Sequence, residues 1–339
     1  MATRRPVSRS GPATFLALAL LAGPACRSGE APGGPAGGRP RIAVVPMGTT
    51  HEFWKAVRAG AEAAGRELGA EIVWKGPLKE DDRDEQMRVY ETLAGSGVDG
   101  LVLSPIDDRA MLRPVAEARR AGLPTVVFNT ALAGGEHIAF VATDNRHGGV
   151  LAARAVGTLT GGRGRLILVR VTEGVEGTRQ REEGFLDTLR AEFPGIAVLS
   201  DNRYGGTTTE TAYQTMESLL SRFPEIEAVF TPNESTTFGC LRALQDHGLA
   251  GKIVHVGFDA SAKLVEALEK GELQGLVLQD PVAMGYESVK TVLAHLRGRP
   301  YERTVATAVV LADRSNMNDP EVRRLIRPDL SIPEDRRQP

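Results

Sequence analysis

From Arg41 onward the chain repeats one pattern: a short run rich in Val, Ile and Leu, a turn, then a segment of helical spacing, returning about every thirty residues. The runs Ile42–Pro46, Glu71–Trp74, Gly100–Ser104, Thr125–Phe128 and Ile138–Ala142 read as strands, each bounded by Gly, Pro or charged residues. Between them, Glu52–Leu68, Asp84–Ala94, Asp107–Ala121 and Asp144–Leu159 carry apolar residues at helical intervals. The pattern restarts at Arg165, with strands predicted at Leu166–Val171, Ile196–Leu199, Ala228–Phe230, Ile253–Gly257 and Leu276–Leu278, and helices beginning near Thr178, Thr208, Glu234 and Ala260. A last helix over Val282–Leu296 and a short strand at Val309–Leu311 follow. Residues 313–339, with Pro320, Pro328 and Pro333, read as a surface tail. A strand joined to the next through a helix makes the two parallel, so this pattern predicts an α/β chain of two units, each with a parallel sheet.

The first forty residues follow a different logic. Arg4, Arg5 and Arg9 precede an apolar run from Phe15 to Ala22, which gives way to Gly23-Pro24-Ala25-Cys26. A basic head, a short apolar middle and a small-residue end describe a bacterial export signal over residues 1–25, too short to span a bilayer permanently. Cys26 closing that run resembles the acylated cysteine of bacterial lipoproteins, and Gly23-Pro24-Ala25 also serves as a small-x-small site for the ordinary signal peptidase. Arg27 to Pro40 has eight Gly or Pro in fourteen positions, so residues 26–40 read as a flexible tether.

Composition excludes several functions. A formal charge of −2, which becomes −5 once the three arginines of residues 1–25 are removed, leaves no basic field for phosphates and argues against nucleic acid. Two cysteines cannot build a disulfide framework or a Cys-based zinc site, and the six histidines lack the i, i+4 spacing of a zinc helix, so neither metal nor cofactor is expected. Gly161-Gly162-Arg163-Gly164 precedes a strand and so reads as a turn, not as a phosphate cradle. The run Glu80-Asp81-Asp82-Arg83-Asp84-Glu85 lacks the spacing of a calcium loop and reads as a solvated helix entrance. Cys240 reads as a small core residue.

In open parallel sheets ligands bind beyond the carboxyl ends of the strands. The residues there are Thr50–Trp54, Ser104–Asp107, Asn129–Thr130, Asp144–Asn145, the stretch around Arg181, Tyr204, Asn233–Glu234, Asp259 and Gln279. Aromatic rings stand among Asn, Asp, Gln and Arg, the planar side chains that can hydrogen-bond two neighbouring hydroxyls at once, while ring faces accept the C–H face of a sugar. On pattern alone, Phe53 and Trp54 could equally staple a helix start to the core, Asn233 and Asp259 could be helix caps, and Arg181 could pair with Glu182 or Glu183.

Four stretches carry a family resemblance: His51-Glu52-Phe53-Trp54 with Arg58-Ala59-Gly60-Ala61; Ala142-Thr143-Asp144-Asn145 with Gly148-Gly149; Arg181-Glu182-Glu183-Gly184-Phe185; and Ala228–Glu234 with Val256–Asp259, ending at Gln279-Asp280-Pro281. In this order they resemble the periplasmic sugar-binding proteins of ABC importers, of the ribose-binding-protein type, whose body is shared by sugar-responsive repressors. The resemblance implies two Rossmann-like lobes joined by a three-strand hinge, the fold of type I periplasmic binding proteins. It divides the chain into 41–143 plus 280–308 and 144–279 plus 309–325, with 326–339 as a tail. It implies a monosaccharide or related polyol held by His51, Phe53, Trp54, Asn129 and Thr130 from the first lobe and by Arg181, Tyr204, Asn233, Asp259 and Gln279 from the second lobe and hinge. It further implies no catalysis, delivery to an ABC permease from a periplasmic or envelope position, a membrane contact through the Cys26 lipid only, and a monomer. The ribose binders carry Asp-Arg at Asn129-Thr130 and Asn at His51, so ribose itself is not specified. A sensing role before a chemoreceptor or kinase fits the same residues. An α/β enzyme fits less well, because Met47-Gly48-Thr49-Thr50-His51 stands where a Gly-rich phosphate loop would be, and a repressor would need a DNA-binding head where this chain has its leader.

Overall fold

The computed structural model describes residues 38–328 and Leu330. The leader, Cys26 and most of the Gly/Pro tether lie outside the described residues. The chain begins with β1 (Arg41–Val45), α1 (Glu52–Leu68), β2 (Glu71–Trp74), α2 (Arg83–Ala94), β3 (Gly100–Leu103), α3 (Leu112–Arg120), β4 (Thr125–Phe128) and β5 (Ala139–Thr143). A second series follows: α4 (Asn145–Leu159), β6 (Arg163–Arg170), α5 (Glu176–Glu192), β7 (Gly195–Tyr204), α6 (Thr209–Arg222), β8 (Ala228–Phe230), α7 (Glu234–Asp246), β9 (Val254–Phe258), α8 (Ala262–Lys270) and β10 (Gly275–Gln279). It closes with α9 (Pro281–Leu296), β11 (Thr304–Thr307), β12 (Val309–Ala312) and α10 (Pro320–Ile326).

These strands make two six-stranded sheets of identical order, β11-β5-β4-β3-β1-β2 and β12-β10-β9-β8-β6-β7. Every pairing is parallel except β12 against β10. Helices cover both faces of each sheet, which is why the strands read as nearly continuous apolar runs. On β1, Ile42 and Val44 enter the core on one side while Ala43 and Val45 enter the core on the other, the two-residue period of a strand buried on both faces. The chain passes between the lobes after Thr143, after Gln279 and at Ala308, and the Thr143 and Thr307 hydroxyls meet at 3.2 Å where two of these crossings lie side by side.

Three local expectations are corrected. Thr304–Thr307 is a strand, β11, which its Thr-rich polar sequence concealed and which pairing with β5 at the sheet edge stabilises. β7 runs on to Tyr204, well past Leu199, because an edge strand needs only one partner and two register shifts against β6 let it continue. The presumed tail contains α10: Pro320 fits its first turn, and Val322, Leu325 and Ile326 pack on the second lobe. Arg324 of α10 pairs at 2.7 Å with Asp280, whose other oxygen caps α9. The glycines at 161, 162 and 164 do adopt left-handed φ and turn the chain into β6, and Cys240 is buried.

Candidate ligand-binding cleft

One cleft is lined from the carboxyl ends of both sheets: by Met47 after β1, Asn129 and Thr130 after β4, Thr172 after β6, Asn233 and Glu234 after β8, Asp259 after β9, and Gln279 at the end of β10. The structure brings His51, Phe53, Trp54, Asn129, Thr130, Arg181, Asn233, Asp259 and Gln279 together in this cleft. Tyr204 does not join them. It ends the overlong edge strand β7, is 42% exposed and sits beside Thr211 and Gln214 on the outside of the lobe. Thr207, three residues on, reaches the cleft instead and donates to Asp81 Oδ2 across it at 3.0 Å.

The first lobe's wall is aromatic and acidic. Phe53 and Trp54 meet edge to face with centroids 4.9 Å apart, and Trp54 leans on Phe128. The Trp54 indole N–H donates to Glu80 Oε1 at 2.5 Å, and His51 Nδ1 contacts the same oxygen at 3.0 Å. Burial works against a charged His51, but the hydrogen bond to Glu80 and the charges of Glu80, Glu234 and Asp259 outweigh it and raise its pKa to about 9. At neutral pH His51 is therefore a cation, and its Nδ1–H donates to Glu80. Asn129 donates from Nδ2 to Ser104 Oγ at 3.1 Å and to Met47 Sδ at 3.5 Å.

The second lobe's wall is built around Arg181, which is 4% exposed. Its Nε donates to Asn145 Oδ1 and its Nη1 to the Pro232 carbonyl, both at 2.8 Å, while the guanidinium lies 4.4 Å from the Phe258 ring centroid. Asp259 stands 4.0 Å from Nη1. Burial pushes the Asp259 carboxyl above its usual range, with Arg181 and the Gln279 hydrogen bond opposing. Asp259 accepts from Gln279 Nε2 at 2.6 Å and from the Glu234 N–H at 3.1 Å. Gln279 Oε1 is left buried with no partner, and an orphaned acceptor of this kind calls for a donor from outside the protein. Asn233 is a cap as well as a lining residue, because its Oδ1 accepts the Thr236 N–H at 3.0 Å. The cap narrows what Asn233 can offer a ligand to its amide N–H groups.

The two lobes touch across the cleft through helix ends. Glu234, at the start of α7, accepts the N–H groups of Glu52 at 3.3 Å and Phe53 at 3.1 Å, capping α1 of the other lobe. Glu52 in turn accepts the N–H of Ala262 at 3.0 Å, capping α8. Thr130 Oγ1 accepts from the Gly177 N–H at 2.9 Å, so its contact is partly to the opposite lobe. Burial raises the Glu234 pKa to about 7 despite His51 and the Phe53 N–H.

Glu80 is a cleft-lining residue that sequence reasoning missed. In place of a solvated helix entrance it is a cleft residue only 9% exposed, while its neighbour Asp82 does cap α2. Its burial comes from His51 and Trp54, far away in sequence, so nothing local in an acidic run announces it. Glu234 and Asn145 had a signal, since both follow strand ends. The space open to the centre of a water molecule is about 40 Å³, against the roughly 10–15 Å³ that one water needs. That is room for a small solute and not for a chain. Planar polar groups on one wall and rings on the other suit a compact molecule covered in hydroxyls.

A family model described as the periplasmic binding protein domain matches residues 42–300. The D-ribose/D-allose-binding protein of Pseudomonas aeruginosa is 29% identical over 276 residues, spanning 78% of this chain and 84% of its own. A carbohydrate transporter solute binding protein from Agrobacterium radiobacter, solved in complex with D-arabinose, is 31% identical with a TM-score of 0.83, covering 86% of this chain and 100% of that one. An ABC transporter solute binding protein from Agrobacterium vitis, solved with bound D-fucose, is 30% identical with a TM-score of 0.82, covering 85% and 100%. All nine residues gathered in the cleft fall within the matched span, as does the Gln279 crossing, and the chain belongs to the periplasmic binding protein domain family.

Proposed function

We propose that this protein is an extracytoplasmic solute-binding protein that captures a monosaccharide, a pentose, hexose or related polyol, between its lobes and delivers it to an ABC permease. The observation that carries the reading is the buried Arg181–Asp259–Gln279 cluster, with one acceptor unmet, facing Trp54 and Phe53 across a cavity of sugar size. A relative named for D-ribose and D-allose, and similar solved structures holding D-arabinose and D-fucose, support the substrate class. The departures at Asn129, Thr130 and His51 keep the particular sugar open. The export signal supports a periplasmic position, Cys26 is the anchoring residue in this reading, and the protein acts as a monomer at the permease. Thermal-shift and calorimetric titration of the exported protein with D-ribose, D-allose, D-arabinose, D-fucose and other pentoses, hexoses and polyols should show at least one stabilising ligand. Silence across that panel overturns the reading. Fatty-acid labelling that survives Cys26→Ser would remove the anchor.

A further inference from the structure

We propose that Glu80 is a specificity-determining residue whose free carboxylate oxygen accepts a hydrogen bond from the ligand and closes the cleft to anionic solutes. The inference rests on the sugar reading above and narrows it. It starts from an inventory of what the cleft offers. Glu80 Oε1 is occupied by Trp54 Nε1 and His51 Nδ1, whereas Oε2 has no partner among the described residues. A carboxylate can only accept, so Asp259 forces the Gln279 nitrogen towards itself and turns the Gln279 oxygen away, buried and unpaired. The Asn129 nitrogen is likewise committed to Ser104 and Met47, leaving its oxygen over.

Three acceptors and several donors, His51 Nε2–H, the remaining N–H groups of Arg181 and an amide N–H of Asn233, thus stand open and unbalanced by one another. A hydroxyl can donate to one neighbour and accept from another, so adjacent hydroxyls satisfy this imbalance. A carboxylate or phosphate cannot, since it brings only acceptors: His51 and Arg181 could meet some of them, but the open oxygens of Glu80, Gln279 and Asn129 would stay unpaired beside the carboxyls of Glu80, Glu234 and Asp259.

A purely supporting role would not require a charge. The indole N–H of Trp54 is served equally by an amide oxygen, and Gly48 is what makes room for the pair, since a Cβ there would lie 3.0 Å from Glu80 Cγ and 3.4 Å from Trp54 Nε1. The carboxylate adds two things an amide lacks: a second accepting oxygen towards the ligand, and a negative charge that holds His51 as a donor on both ring nitrogens.

The test compares each aldose that binds with the uronic acid of the same ring configuration, in the wild-type protein and in Glu80→Gln. Wild type should prefer the aldose by about 100-fold or more, because the uronate leaves buried acceptors unpaired. Glu80→Gln keeps an acceptor for Trp54 but turns a donor towards the ligand. It should weaken aldose binding about 10- to 100-fold and lower the aldose preference at least tenfold, while Glu80→Asp keeps the preference even where affinity falls. If Glu80→Gln lowers both affinities by one factor, Glu80 only supports Trp54 and the inference is overturned. Should the Gln variant fail to fold, wild type decides alone: equal binding of aldose and uronate overturns the role of Glu80 and leaves the sugar reading standing. Binding of no neutral sugar at all removes that reading first.

Discussion

Asn129 and Asp259 occupy the same place in the two halves of the molecule. Each follows a phenylalanine that ends the fourth strand of its sheet, and each donates its N–H to the next strand, Asn129 to Val141 and Asp259 to Val277, both at 2.9 Å. They are the non-glycine residues with positive φ among those described, at 64° and 66°. L-residues resist that conformation, and Asn and Asp resist it least. The turn it produces sets an amide and a carboxylate in opposite walls of one cleft, so the left-handed backbone helps shape the site. Asn129→Gly and Asn129→Ala remove the same amide and should weaken sugar binding by the same factor. Ala must also hold φ near 64°, so it should unfold about 1 kcal/mol more easily than Gly. Chemical denaturation beside calorimetric titration separates the two effects; equal stabilities would mean the backbone relaxes and carries no strain. The strand-end rule made Asn129, Asn233, Asp259 and Gln279 legible in the sequence, because a parallel strand fixes where its next residue points. It misplaced Tyr204, whose strand runs on along an edge, and it was blind to Glu80, whose position follows from tertiary contacts with residues about thirty positions earlier.

Helix contacts explain the sequence motifs that are not ligand contacts. A Cβ on Gly149 would lie 2.0 Å from the Arg181 carbonyl, and one on Gly184 would lie 2.2 Å from that of Arg146. α4 and α5 therefore cross with backbones nearly touching, and the crossing fixes where α5 presents Arg181 to the cleft. Alternating runs made the β/α order legible because each strand is buried on both faces; the edge strand β11 and the short helix α10, half wet, carried too little apolar signal. Helix ends also hold the lobes together, through Glu234 on α1 and Glu52 on α8. Ala262 is the first residue of α8, where proline costs a helix nothing, and Ser261 before it is already extended at φ −131° and ψ 162°. Ala262→Pro should thus delete the N–H that Glu52 accepts while leaving α8 intact. Stopped-flow release of a bound sugar should be about two- to fivefold faster in this variant and in Glu52→Ala, and no faster in the double variant than in either alone. Additive effects, or none, would mean the contact does not hold the cleft shut.

At the scale of the whole molecule, a solute reaches groups as buried as Arg181 and Asp259 only when the lobes part, so binding is coupled to closure, and closure to protons. His51 and Glu234 come from opposite lobes and meet only when the cleft is shut, whereas His51 keeps Glu80, and Glu234 keeps Asp259, within its own lobe. Shut, they titrate near 9 and 7; His51 owes its rise first to Glu80 of its own lobe, while Glu234 owes its rise to burial, which parting the lobes relieves. Closure buries Glu234 and so raises it, and the closed form holds more protons than the open one. The benefit is complete below the open-state value and fades as pH climbs through the closed-state value, over about 4.5 to 7 for Glu234. The raised Asp259 carboxyl acts in the same direction, and the Arg181 guanidinium stays charged throughout. Glu182 beside Arg170, also near 7, and His255, held near 3 by burial, each lie within one lobe and are buried whether or not the cleft is shut, so they bear on unfolding and not on closure. Sugar affinity should therefore fall from about pH 5 to about pH 7, by at most about tenfold per unit for each proton taken up. Titration calorimetry at fixed pH in buffers of different ionisation enthalpy counts those protons directly. Uptake on binding is expected, largest between about pH 4.5 and 7 where Glu234 contributes, and reduced in Glu234→Gln, which removes the group that closure protonates. Proton release on binding, or an affinity that rises from pH 5 to pH 7, would mean that closure does not bury Glu234 against His51 and the start of α1 as the structure draws it.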